Sequence, residues 1–86
     1  MNRAIRALLI TMLNQRKIGG NHTPEKKLIT AKTKWLGKKE RKTFNKEYKE
    51  LVNKGVIIRL KKRTGKGYDW HISLNPKKVI EVYEKL

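Results

Sequence analysis

Apolar residues return along this chain at two different periods, and the change from one to the other divides it into elements. Ile5, Leu8, Leu9, Met12 and Leu13 recur at i, i+3, i+4, i+7 and i+8, the stripe of an amphipathic helix. This first helix is expected from Asn2 to Lys17, with Gly19-Gly20 stopping it. Thr23-Pro24-Glu25 reads as a helix start, with Thr23 as N-cap, Pro24 at the first helical position and Glu25 in the first turn. The second helix is expected to reach Lys34 or Trp35. Leu28, Ile29 and Ala31 then face the core and Trp35-Leu36 closes the helix. Gly37 allows a turn into a third helix, Lys38 to Asn53. At about 100° per residue, Phe44, Tyr48, Leu51 and Val52 share one face of it. Lys39, Lys42, Lys46, Lys49 and Asn53 lie opposite, Glu40 and Glu47 sit on a flank, and Gly55 follows where a helix end prefers glycine.

From Val56 the period shortens to two. Val56, Ile58 and Leu60 alternate with Ile57 and Arg59, and Tyr68, Trp70, Ile72 and Leu74 alternate with Asp69, His71 and Ser73. Between these strands lies a basic, glycine-bearing turn, Lys61 to Gly67, so the pair reads as a β-hairpin. Asn75-Pro76 repeats the cap-then-proline signal, and Val79, Ile80, Tyr83 and Leu86 form a short last helix. The expected fold class is α+β, mainly α with a small β-hairpin, in the order α-α-α-β-β-α. It forms a single domain over residues 1–86, without repeat, linker or low-complexity stretch.

Charge changes what this pattern is for. The chain has 23 Lys+Arg against 7 Asp+Glu, a net charge of +16. Lysine enrichment of a general kind brings glutamate with it, and here the acids do not keep pace. Such an excess repels itself unless something anionic is bound. Nucleic acid, an acidic membrane surface and an acidic protein are the candidate partners. The basic residues gather on the third helix and on the hairpin turn, which favours nucleic acid. With 37% hydrophobic residues, well patterned, the chain is expected to fold rather than stay disordered.

Other chemistry is poorly supplied. The absence of cysteine excludes disulfides, thiolate metal sites and cysteine nucleophiles. Gly65-Lys66-Gly67 is too short for a phosphate-cradling loop. His22 reads as a loop or cap residue and His71 as an exposed strand residue, on separate elements, so neither metal nor cofactor is expected. Asp69 has no carboxylate partner nearby for acid–base work, and no enzymatic activity is expected. No segment has the roughly 20 apolar residues of a membrane span, and no cleavage site follows the start, so the expected location is cytoplasmic. Trp35, Trp70, Tyr48 and Tyr68 could stack on bases. Each also fits a core period, which is the reading preferred here, with Tyr68 beside the hairpin tip as the best exception.

The order of elements, together with Leu51-Val52-Asn53-Lys54-Gly55-Val56-Ile57 at the junction of third helix and hairpin, resembles the winged helix-turn-helix family. His71-Ile72-Ser73-Leu74-Asn75-Pro76 is similar to the end of the last strand in small archaeal winged-helix proteins. The resemblance covers essentially the whole chain. It implies a third helix in the major groove and a wing tip on backbone or minor groove. The residues that would carry those roles are Lys38, Lys39, Lys42, Asn45, Lys46, Lys49 and Asn53 on the helix, and Lys61, Lys62, Arg63, Lys66 and Tyr68 on the wing. The function so implied is binding of double-stranded DNA, as a transcription regulator or chromatin-associated protein. RNA or ribonucleoprotein binding, and docking to an acidic protein, stay open, because this fold does not settle function. A symmetric homodimer through the first or last helix is also expected, since operators are symmetric.

Overall fold

A computed structural model describes every residue from Met1 to Leu86. Four α-helices pack with a three-stranded antiparallel sheet. The elements run α1 (Arg3–Asn14), β1 (Thr23–Pro24), α2 (Glu25–Thr33), α3 (Lys38–Asn53), β2 (Ile57–Thr64), β3 (Gly67–Leu74), a single 3-10 turn (Pro76–Lys78) and α4 (Val79–Lys85). The sheet order is β1-β3-β2. The α+β class is as expected, but the order α-α-α-β-β-α omits β1. Two residues are too few to show a period, and Thr23-Pro24 carries the signal of a helix start. Thr23 is therefore not the N-cap of α2. It pairs with Ile72, and the cap position falls to Pro24, whose side chain carries no acceptor and makes no capping hydrogen bond. Pro24 is tolerated in the strand because β1 is an edge.

The stripe on α1 makes the centre of the core. Ala4, Ile5, Leu8, Leu9 and Met12 are all fully buried. Asn2 caps this helix, accepting from the Ala4 N–H at 2.7 Å, and its own N–H donates to the Glu47 carboxylate of α3 at 3.1 Å. The helix is shorter than the expected Asn2–Lys17 and does not wait for Gly19-Gly20. It ends at Asn14, where Arg16 takes a left-handed φ of 53°. The Lys17 N–H then returns to the Met12 carbonyl and the Arg16 N–H to the Leu13 carbonyl, a Schellman closure without glycine. An early stop is needed because the next residues have another task. Lys17 and Gly19 exchange backbone hydrogen bonds with Leu74, extending the β3 edge.

The end of α3 behaves as the sequence suggests. Gly55 at φ 76° places the Val56 N–H on the Leu51 carbonyl and its own N–H on the Val52 carbonyl. Leu51 and Val56, brought together by this turn, are both buried.

Several faces are turned differently from the expected pattern. In α2 no residue is fully buried. Leu28 and Ile29 are half-buried, but Ala31 and Trp35 are exposed, and Leu36 alone of the closing pair enters the core. The helix lies against the sheet edge rather than inside the core, so only its innermost line is covered. Ile57, not the Ile58 and Leu60 phase, is the buried side of β2. Tyr68 and Trp70 share a face with the buried Ile72 and Leu74 but are exposed. At roughly 3.4 Å per residue, two eight-residue strands outrun the helices beneath them, so the period continues where the core has stopped. In α4 Val82 is buried, while Ile80 and Tyr83 are exposed. The Pro76–Lys78 turn winds about 3 residues per turn rather than 3.6, which rotates the helix that follows it. Asn75 does cap this turn, accepting from the Lys77 N–H.

One carboxylate joins three elements. Glu25, at the start of α2, accepts from Arg59 Nε at 2.6 Å and Nη2 at 2.8 Å on β2, and from the Tyr48 hydroxyl at 2.6 Å on α3. Its side chain is only 15% exposed, so the bonds are made where water competes little. An amide here keeps one acceptor oxygen but sets an NH2 group against a donor and leaves the Arg59 charge uncompensated. Glu25→Gln is expected to cost about 2 kcal/mol, or about 10 °C in Tm for a domain of this size. Glu84→Gln, at an exposed position, is expected to stay within about 0.5 kcal/mol of the parent. Thermal unfolding of the two variants side by side checks the difference.

Candidate nucleic-acid interface

The basic face of α3 forms because the opposite face is committed. Phe44 and Leu51 are buried, and Tyr48 is half-buried and stacked on Phe44 at 5.9 Å between ring centroids. That leaves Lys38, Lys39, Lys42, Asn45, Lys46, Lys49 and Asn53 exposed along the other side. The amides of Asn45 and Asn53 are not bonded to the chain, unlike those of Asn21 and Asn75, which donate to backbone carbonyls.

On the hairpin the predicted residues divide between two faces. Lys61 to Thr64 are strand, not turn, and the connection shrinks to Gly65-Lys66 between the paired Thr64 and Gly67. The tip is tied by the Lys66 N–H donating to the Thr64 hydroxyl, which itself donates to the Gly67 carbonyl. Alternation then puts Lys61 and Arg63 on the side of Tyr68 and Trp70, and Lys62 on the side of Asp69 and His71. The first side is built as a ladder of cations on rings. Arg59 lies 4.1 Å from the Trp70 ring centre and Lys61 lies 5.0 Å from that of Tyr68. Trp35, also exposed, sits beneath Arg3 at 5.3 Å. The preference for core positions therefore fails for Trp35 and Trp70 and holds only in part for Tyr48, while Tyr68, the exception expected beside the tip, is exposed.

Four of the seven acids are used within the molecule, two of them in exposed pairs. Glu25 holds Arg59, Glu47 holds the start of α1, Glu40 pairs with Arg3 and Glu81 with Lys78. None of the predicted α3 or hairpin cations takes part in an ion pair. Two shifts follow from the Glu25 bonds. Burial, and then the hydrogen bond to Glu25, raise the Tyr48 hydroxyl far above its usual range. The Glu25 hydrogen bond raises Arg59 as well. Both groups keep their protons throughout any physiological range, so the strut is constant.

Between α2 and the hairpin lies an open groove of about 940 Å³, walled by Lys26, Lys27, Ala31 and Lys34 on one side and by Tyr68 and Trp70 on the other. Sequence reasoning missed the α2 lysines and Trp70 as surface features, and missed Arg59 and Glu25 as the support behind them. An arginine interrupting the apolar run Val56 to Leu60 was the signal available.

The two histidines are not separate. Pairing of Pro24 with His71 brings His22 alongside, with Nδ1 to Nδ1 at 2.8 Å and the rings edge to face. No cluster of three or more metal-ligating side chains includes them. A contact between two ring nitrogens needs one donor and one acceptor, so one ring must be neutral. Comparison with protein-family models, with curated proteins and with solved structures gave no match.

Burial, then the charges of His71, Lys62 and Lys17, hold the His22 imidazole below its ordinary value of 6.5. The unfolded chain therefore binds more protons there than the folded one, and stability rises with pH. The contribution is complete above 6.5 and is lost as pH falls from there through the lowered folded value. Tm is expected to drop between about pH 7.5 and pH 5.5, and the drop to shrink in His22→Gln. Calorimetry of both proteins across that range checks it.

Proposed function

We propose that this chain is a winged helix-turn-helix domain that binds double-stranded DNA in the cytoplasm, without catalysis. The element order, the β1-β3-β2 sheet and the short Lys34–Gly37 turn between α2 and α3 support the fold assignment. The observation that carries the function is the division of charge. Glu25 and Glu47 are spent on internal struts, while the lysines of α3 and of the hairpin, the wing in this reading, point to solvent unpaired. Lys39, Lys42, Lys46 and Lys49 would meet phosphates in and beside the major groove. Lys61, Lys62, Arg63 and Lys66 would hold the backbone next to it. Phosphate contacts position rather than specify, so sequence preference rests on Asn45 and Asn53, whose free amides can pair with adenine. Strong attraction with weak preference follows. No helix is long and apolar enough to cross a membrane.

RNA is the second reading, favoured by the exposed Trp35, Tyr68 and Trp70, since unpaired bases stack on such rings. Competition between duplex DNA, duplex RNA and single strands at two salt concentrations separates the readings.

If about six cations neutralise phosphates, log K against log salt has a slope of about −5. Changing Lys42, Lys46 and Lys49 together to Ala is expected to weaken duplex binding and flatten that slope, with Tm unchanged or raised. Changing Lys62, Arg63 and Lys66 to Ala is expected to weaken binding equally on all sequences. Asn45→Ala or Asn53→Ala is expected to lose about 1–3 kcal/mol of discrimination at one base pair and little non-specific affinity. Fluorescence anisotropy with folded variants reads all three; two lysine sets that bind like the parent would show that neither element faces nucleic acid.

We also propose a symmetric homodimer through α4 and α1. Ile80 and Tyr83 stand 73% and 62% exposed, one turn apart on α4, and Ile10 lies on the side of α1 whose Arg6 donates to the Leu86 carbonyl. Sedimentation at moderate salt is expected to show a dimer that Ile80→Glu dissociates; a monomer at high concentration removes the proposal.

A further inference from the structure

The groove between α2 and the wing has features that duplex binding leaves without a use. A duplex presents base edges and phosphates, so it has no role for the flat faces of two exposed rings. Tyr68 is 62% and Trp70 43% exposed, and both line this groove. Their cationic partners do not. Arg59 and Lys61 cover one face of each ring and are absent from the groove wall, which leaves the rings open on the groove side. Arg59 is itself locked by Glu25, so the Trp70 ring is backed by a fixed cation.

Spacing points to the kind of chain that would fit. Tyr68 and Trp70 are two residues apart on one strand face, about 7 Å. Bases stacked in a duplex are about 3.4 Å apart along each strand. Rings at twice that interval suit bases pulled out of their stack, as in an extended single strand. The opposite wall supplies the charge: Lys26, Lys27 and Lys34 are exposed and unpaired, around Ala31, whose small side chain keeps the groove open. Of the two acids in the wall, Glu25 is neutralised by Arg59, and Asp69 is exposed beside Tyr68. The volume of about 940 Å³ lies within the range of sites that enclose small organic ligands.

We propose that this groove binds unpaired nucleotides, with bases stacked on Tyr68 and Trp70 and phosphates on Lys26, Lys27 and Lys34. The proposal rests on the nucleic-acid reading above and adds to it a second site, on the hairpin face that Tyr68 and Trp70 share with Lys61 and Arg63 but walled by α2. The mode is that of single-strand binders, in which rings take the base faces and a basic wall follows the backbone. It tolerates any sequence, because every base has a face to stack.

The test uses a Trp35→Phe background, which leaves Trp70 as the only tryptophan. An oligothymidine of about 16 nucleotides and a duplex of equal length are titrated in parallel. The expected result is that the single strand quenches Trp70 emission, and that Tyr68→Ala weakens single-strand binding about tenfold, a larger loss than on the duplex. Lys26, Lys27 and Lys34 changed together to Ala weaken the single strand in the same way, and Trp70→Phe retains most of its affinity. Tyr68→Ala leaves the Arg59–Trp70 contact in place, so its result stands even if Trp70→Ala disturbs the fold. Unchanged emission at saturation, a Tyr68→Ala protein that binds the single strand like its parent, or polyglutamate competing as well as oligothymidine would each overturn the proposal. If any of these occurs while the duplex still binds, only the groove assignment fails. If neither nucleic acid binds, the nucleic-acid reading fails with it.

Discussion

The arrangement of α2, α3 and β2 depends on Glu25. Its carboxylate is the one place where α2, α3 and β2 meet through directed bonds rather than through apolar contact. The Arg59 fork fixes the carboxylate plane, and Tyr48 fixes its remaining oxygen lone pairs. Arg59 in turn carries Trp70 and Tyr48 carries Phe44, so the strut runs from the wing surface to the core. A domain of this size has a modest core and buries only about 60–65% of its unfolded surface. α2 contributes no fully buried residue to that core. Without the carboxylate, little would hold α2 at a fixed angle to α3.

The same economy governs two of the seven acids. In a chain of net charge +16, every carboxylate placed on the surface would weaken the attraction for a polyanion. Placing Glu25 and Glu47 on internal donors removes them from the field seen by a ligand and uses them to fix geometry. Asp69, paired across the hairpin with Lys62, and Glu50, on α3, stay exposed among the cations. The repulsion among those cations is a cost to folding that a bound polyanion would relieve.

Much of this was legible from residues alone. The α1 stripe, the Phe44–Leu51 face and the Gly55 closure are local patterns, and each formed where the period placed it. The exposed lysines of α3 follow directly, since a helix with one committed face has its other face fixed. What escaped was set by length and by distant pairing. Thr23-Pro24 is a strand only because Ile72 and His71 lie opposite. Tyr68 and Trp70 keep the core phase but stand beyond the core's end, and no pattern of alternation records where helices stop. The rotation of α4 depends on one 3-10 turn. The His22 contact with His71 spans 49 positions and has no local signature. The groove needed the exposure of Trp70 and the position of α2 together, which is why only Tyr68 of its lining was read from the sequence as part of a site.

The sheet is closed by different means on its two sides, and this decides how wide it can grow. An outermost strand offers unpaired backbone groups to any passing strand. On one side β1 has two residues, one of them Pro24, which lacks an N–H, so a newcomer finds almost nothing to pair with. On the other side β2 is eight residues long and exposes Ile58 and Leu60, the profile of a strand prone to self-addition. Lys61, Lys62 and Arg63 stand along that same margin, and a second copy approaching it would bring three like charges against three. The cations of the hairpin therefore limit the sheet to three strands and oppose polymerisation of the protein through its own edge.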